Sequence, residues 1–281
     1  MVGTSRLKRA SYTATKSLVL GAFLLVIIFP FYWMFMTSFK RQQDVFSIPL
    51  FYFPPVFSLE NYRMLFVNMN FGRYIANSIM VSVVAALLAT STAIMGAYVL
   101  ARFRFKGKRL VMYYFLITQM LPAFIGLAPL FQMFSRWKML DYLPTLMILN
   151  ASTLMPYSVV TLRGFLQRVP RSLEESAMID GCNRLHALIK VVLPVVLPGI
   201  AATYIFCFVQ AWNDLFAPIL YMHRSANYTI PVALNSMVMK NDVKWGELSA
   251  GTVISIVPTV TMFAFAQKYV AAGLLSGALK E

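Results

Sequence analysis

Acidic residues are scarce: the 281-residue chain has 10 Asp and Glu against 25 Lys and Arg, and charged residues of all kinds reach only 12%. Soluble domains carry roughly 25% charged residues, so a chain that is 59% hydrophobic is not an ordinary water-soluble fold. Histidine is nearly missing. His186 and His223 lie far apart, which excludes a histidine metal centre and Ser-His hydrolysis, and no paired catalytic constellation points to an intramembrane enzyme. Only two cysteines occur, Cys182 in a connecting loop and Cys207 in an apolar run, and neither is placed for a structural disulfide. No Gly-x-x-x-x-Gly-Lys-Ser/Thr phosphate loop is present, so the chain is not expected to hydrolyse ATP. A self-contained channel or secondary carrier would favour buried ionisable residues and an internal repeat, and neither is evident.

What the chain does have is long uncharged runs: 17–39, 74–101, 110–135, 142–162, 191–213 and 248–267. Each reaches the ~20 residues that a helix needs to cross the hydrocarbon core of a bilayer. The expected fold is an all-α membrane protein of six transmembrane helices, with the fifth span continued to 221 and a single permease-like domain over 1–281. The first run lacks a small-residue cleavage pattern and reads as a retained span rather than a signal peptide. Pro30, Pro122, Pro129, Pro156, Pro194, Pro198 and Pro258 lie in or at the ends of these spans, where each removes a donor and bends its helix.

The net charge of +15 is topogenic. Its basic residues sit in short clusters beside apolar runs without a groove-reading motif, so nucleic acid is not an expected partner, whereas anionic lipid is. With the amino terminus inside, the inner segments (1–16, 102–109, 163–190, 268–281) hold sixteen Lys and Arg and the outer ones hold nine. Both termini and the 163–190 loop are therefore expected on the cytoplasmic side. The basic connection 102–109 reads as a topology anchor only.

Polar residues within the spans form a second group of candidates. Gln119, Asn150, Gln210 and Asn213 lie inside apolar runs, and Asp214 lies near the outer end of the fifth span. They satisfy one another between helices, or they line a path for a hydroxyl-rich solute. Tyr157 either stacks against a sugar or packs between helices.

The 163–190 loop has the grammar of helix, turn, helix. Ser172 is placed to cap a helix start with Glu175 reaching back to its amide, Ser176, Ala177 and Met178 follow with compact side chains, and Gly181 is a natural left-handed terminator. Leu185, Leu188, Ile189 and Val192 then fall at helical spacing up to Pro194. A short helix of small residues is one that another protein's cleft can hold closely.

Glu175-Ser176-Ala177, then Gly181 and Val191-Val192-Leu193-Pro194, resembles the coupling loop of ATP-binding-cassette importer permeases, written Glu-Ala-Ala, three residues, Gly, nine residues, Ile-x-Leu-Pro. Elsewhere along the chain, Ser58-Leu59-Glu60-Asn61-Tyr62, Asn77-Ser78, Ala101-Arg102-Phe103-Arg104-Phe105-Lys106-Gly107-Lys108, Met120-Leu121-Pro122, Ile179-Asp180-Gly181, Trp212-Asn213-Asp214 and the 273–280 tail are similar to the second membrane subunit of the maltose-type carbohydrate importers. The resemblance implies the type I importer permease fold in a bacterial inner membrane, with no cofactor held by this chain. A second permease completes a heterodimer, two copies of an ATPase subunit use ATP and Mg, and an extracytoplasmic solute-binding protein delivers a sugar, with another solute such as a glycerophosphodiester as the alternative. It implies ATPase coupling by Glu174, Glu175, Ser176, Ala177, Asp180, Gly181, Gly277 and Lys280. It also implies that the outer loop from Asn235 to Trp245 meets the binding protein, through Asn235, Ser236, Met237, Lys240 and Asn241.

Overall fold

A computed structural model of the chain describes residues 3–239 and 242–278, and among these all regular structure is helical. In chain order the α-helices are α1 (Gly3–Ser38), α2 (Gln42–Val45), α3 (Glu60–Asn68), α4 (Phe71–Arg102), α5 (Lys108–Met120), α6 (Ala123–Arg136), α7 (Leu143–Arg168), α8 (Arg171–Ile179), α9 (Arg184–Ala187), α10 (Leu193–Trp212), α11 (Phe216–Tyr221), α12 (Ile230–Val238) and α13 (Trp245–Ala278). Stretches within α1, α4, α7, α9–α10 and α13 are each long and apolar enough to cross a membrane. The chain divides into two compact units, residues 1–70 with 236–255, and 71–235 with 256–281.

The third uncharged run, expected as one span, is two helices bent by 97° between Met120 and Ile125. Pro122 is the cause. A proline disfavours helical backbone in the residue before it, and Leu121 is extended at φ −79°, ψ 131°. What reads as a kink in the sequence is a break in the structure.

In the first unit, apolar side chains of α1 such as Leu25 and Val26 are more than 70% exposed, a surface that requires lipid as its solvent. Past the end of α1, Lys40 is buried, its Nζ donating to the Phe51 carbonyl at 2.6 Å and lying 4.2 Å from the Trp33 ring centroid. Asn61 on α3 donates to the carbonyls of Ser38 and Lys40, both at 2.8 Å. α3 is a short helix in the connection between α1 and α4.

The second unit is built on small residues. Ala85, Ala89, Ala93 and Ala97 recur every fourth position on α4 and are fully buried, which lets helices approach closely. Ala93, Ala97 and Leu100 pack with Val159, Leu162 and Leu166 of α7 and with Leu188, Val192 and Val196 around the start of α10. Gly199 allows a close approach of α10 to α7, since a Cβ there would fall 2.5 Å from the Phe165 ring. Ser158 Oγ and Cys207 Sγ meet at 3.1 Å between the same helices, and both cysteines are free.

Candidate functional site

The 163–190 loop folds as α8, a turn, α9 and a π turn, Leu188–Val192, that runs into α10. Pro194 falls in the first turn of α10, where its missing amide costs least, and the wider π turn lies just before it. The helix end at Gly181 is a Schellman motif. The Cys182 amide donates to the Ala177 carbonyl at 3.0 Å, that of Gly181 donates to Met178 at 3.2 Å, and Gly181 has φ +88°. The expected left-handed terminator is thus in place.

The start of α8 differs from expectation. Its N-cap is Pro170, without a side-chain cap, so Ser172 lies inside the first turn and the capping box with Glu175 does not form. Glu175 is exposed and carries no ion pair among the described residues. The adjacent Glu174 is 8% exposed and turned inward, its Oε1 accepting from Arg102 Nε at 2.9 Å. Arg171 Nη2 donates to the Arg102 carbonyl at 3.1 Å. Ala177 is also buried, whereas Ser176 and Asp180 join Glu175 in being exposed. α8 therefore separates its candidate contact residues into an anchored set, Glu174 and Ala177, and a free set, Glu175, Ser176 and Asp180. Gly277 lies in the last turn of α13 and Lys280 is outside the described residues.

Four of the six polar path candidates come together. Asn150, Gln210, Asn213 and Asp214 line one groove of about 460 Å³ between α7 and the junction of α10 with α11. Asn150 Nδ2 donates to Asp214 Oδ2 at 3.1 Å, a pairing across helices, whereas Asn213 Nδ2 donates to the Val209 carbonyl of its own helix at 2.8 Å. Thr153 also lines the groove, missed although it follows Asn150 at i+3 on one helix face. Gln119 and Tyr157 lie elsewhere. Gln119 donates to the Phe115 carbonyl of its own helix, and Tyr157 stacks on Phe206 at 4.1 Å.

Of the residues expected to meet a binding protein, Asn235 and Ser236 are half-buried and Met237, at 4% exposure, packs inward rather than facing a partner. Lys240 and Asn241 lie outside the described residues. The preceding stretch is fixed by Asp141, which no local pattern marked, and by Asn77 and Ser78, singled out in the sequence through the resemblance alone. Asp141 accepts the His223 and Arg224 amides at 2.8 and 2.9 Å, and its carbonyl accepts from Asn227 at 2.7 Å. Asn77 donates to the carbonyls of Ala226 and Tyr228, both at 3.0 Å, and Ser78 Oγ accepts the Ile230 amide at 2.8 Å. Burial alone would raise the Asp141 pKa. The two amides, with the charges of His223 and Arg224, outweigh it and hold the carboxyl below its ordinary value.

Residues 89–275 match the family described as binding-protein-dependent transport system inner membrane components. The chain is 34% identical to a diacetylchitobiose uptake system permease of Streptomyces coelicolor, over 90% of this chain and 92% of that protein. It is 31% identical to a trehalose/maltose transport system permease of Thermococcus litoralis, over 94% and 96% of the two chains. Among solved structures it shares its fold with a bacterial ABC transporter involved in the import of the acidic polysaccharide alginate, at TM-score 0.83 and 22% identity, covering 93% of this chain and 97% of the other.

Proposed function

Because the chain belongs to the inner-membrane components of binding-protein-dependent transport systems, we propose that it forms half of the translocation path of an ATP-driven sugar importer and receives its driving force at the 163–190 loop. It is a multi-pass ABC permease subunit, a transporter component. The finer reading is that it pairs with a second permease, that two ATPase subunits bind on the side carrying 1–16, 102–109, 163–190 and 268–281, and that a binding protein delivers solute on the opposite side.

The observation that carries this reading is the exposed face of α8. Glu175, Ser176 and Asp180 lie free on a helix that is anchored from behind by Glu174 and closed by a glycine turn. Force on such a helix passes through the π turn and Pro194 into α10. α10 leads to Gln210, Asn213 and Asp214 in the groove. There, amide and carboxylate groups beside an open space suit a solute rich in hydroxyls. A di- or oligosaccharide is the solute class, in keeping with the relatives named for diacetylchitobiose and trehalose/maltose.

Reconstitution tests it. Proteoliposomes holding this chain, its partner permease and the ATPase, supplied with the binding protein, are expected to accumulate a labelled disaccharide only when ATP is enclosed. Accumulation of a glycerophosphodiester instead would reassign the solute, and uptake without the ATPase would sink the reading.

A further inference from the structure

A handle on α8 has one evident route into the membrane, through Pro194 into α10. There is a second. We propose that the Arg102–Glu174 ion pair is a strut that ties α8 to the end of α4, so that movement of the coupling helix drives two spans rather than one. The strut rests on the transporter reading above and deepens it.

Arg102 is the last residue of α4, and Glu174 lies in the first turn of α8. Their side chains are 7% and 10% exposed and meet at 2.9 Å. The Arg171 bond to the Arg102 carbonyl adds a backbone link in the reverse sense, from α8 back to the same residue of α4. α4 can transmit what it receives, because its alanine stripe and Leu100 pack it against α7 and the start of α10.

Stability alone does not account for the pair. Buried ion pairs are often no more stabilising than apolar residues of similar volume. This one is incompletely satisfied, because Arg102 Nη2 is buried without a hydrogen-bond partner. It lines a polar pocket of about 120 Å³ with Tyr98, Arg171, Met178, Arg184 and the edge of Glu175 rather than sitting in close-packed core. A charged pair kept at such a joint fixes which two elements move together, and it leaves the exposed set on α8 free for a partner.

The test uses the complete transporter in proteoliposomes, with Arg102→Gln, Glu174→Gln and the double variant. Co-purified ATPase, ATP hydrolysed and solute accumulated are all measured. The ATPase should be recovered with each variant, since neither residue lies on the exposed face of α8. Solute moved per ATP should fall roughly tenfold in each single variant, the scale of one lost charge-assisted contact, and no further in the double. Additive losses, or an unchanged ratio of solute to ATP, overturn the strut. If a single variant fails to reach the membrane because it leaves a lone buried charge, the double leaves none and carries the test. A wild-type ratio in the double overturns the proposal. A merely structural role would lower abundance and leave that ratio untouched. Failure of the wild-type chain to retain the ATPase would instead count against the transporter reading.

Discussion

The 163–194 and 223–230 segments both connect helices, α7 to α10 and α11 to α12, yet they are held in opposite ways. The first is tied to α4 through Glu174 and Arg171 and leaves the Glu175, Ser176 and Asp180 side chains exposed, with no ion pair among the described residues. The second is pinned at both ends, by Asp141 at His223 and Arg224 and by Asn77 and Ser78 from Ala226 to Ile230. Under the proposed coupling role, the first segment is joined to what it would move and is otherwise open to what would move it. The second is fixed along its length, as a frame. The contrast teaches that polar side chains in this protein do two jobs, and that the ties tell them apart: a buried ion pair with one bond to a carbonyl for the proposed lever, backbone groups throughout for the frame.

The sharpest way to break the contrast lies at Gly181. Gly181→Asp is expected to abolish uptake while the protein still reaches the membrane. Nothing lies within 4 Å of the site of an added Cβ, so the defect comes from φ +88°, which costs a non-glycine residue ~1–2 kcal/mol and puts a charge at the docking turn. Uptake measured beside membrane abundance decides it, and normal transport at normal abundance would remove the lever.

Glu175 comes next in size. With no capping box at α8, its carboxylate has no structural duty, so Glu175→Gln should act only through a partner. Loss of a charge-assisted hydrogen bond to an ATPase cation would cost roughly 1.5–3 kcal/mol of docking, visible as reduced co-purification. Equal recovery of the ATPase would leave Glu175 a solvated surface residue.

Why Glu174 and not Glu175 turns inward was not legible in the sequence. A start at Ser172 and one after Pro170 differ by two residues, which turns a helix by about 200° and exchanges its faces. The glycine turn was legible, because only a left-handed position favours glycine after such a short helix. Pro122 was legible as a disturbance but not as a break, since proline also occurs inside α7 and α10 without ending them. The apolar runs give the spans by length alone. The Arg102–Glu174 and Asp141–His223 contacts join residues 72 and 82 positions apart, and no local periodicity carries information over that distance. Arg102 read as a topology anchor for the same reason.

The frame yields smaller effects. Asp141→Asn keeps the single oxygen, Oδ1, that accepts both amides but loses the charge, and should lower the stability of the 223–230 segment by ~1 kcal/mol. Hydrogen exchange at the His223 and Arg224 amides measures it. Because the folded Asp141 pKa lies below its ordinary value of 3.8, its stabilising effect is complete above that value and is lost as pH falls through the folded pKa. Protection of those two amides should therefore be level from neutral pH down to the ordinary carboxylate range and fade only below it. Fading well above the carboxylate range would show that Asp141 does not control the segment.

The smallest effect separates the amides from the side-chain charge in holding Asp141. Arg224 Nε lies 3.9 Å from Asp141 Oδ2, and the Arg224 side chain is 81% exposed, so solvent screens most of their attraction. The Arg224 amide, by contrast, donates at 2.9 Å whatever side chain follows it. Arg224→Gln should thus leave amide protection within about a factor of two of wild type, the low end of what an exposed ion pair contributes. A loss as large as that of Asp141→Asn would mean that the guanidinium, not the backbone, holds the carboxylate. The segment would then be fixed by a screened charge, and its rigidity would fall with added salt, as a frame built on backbone hydrogen bonds should not.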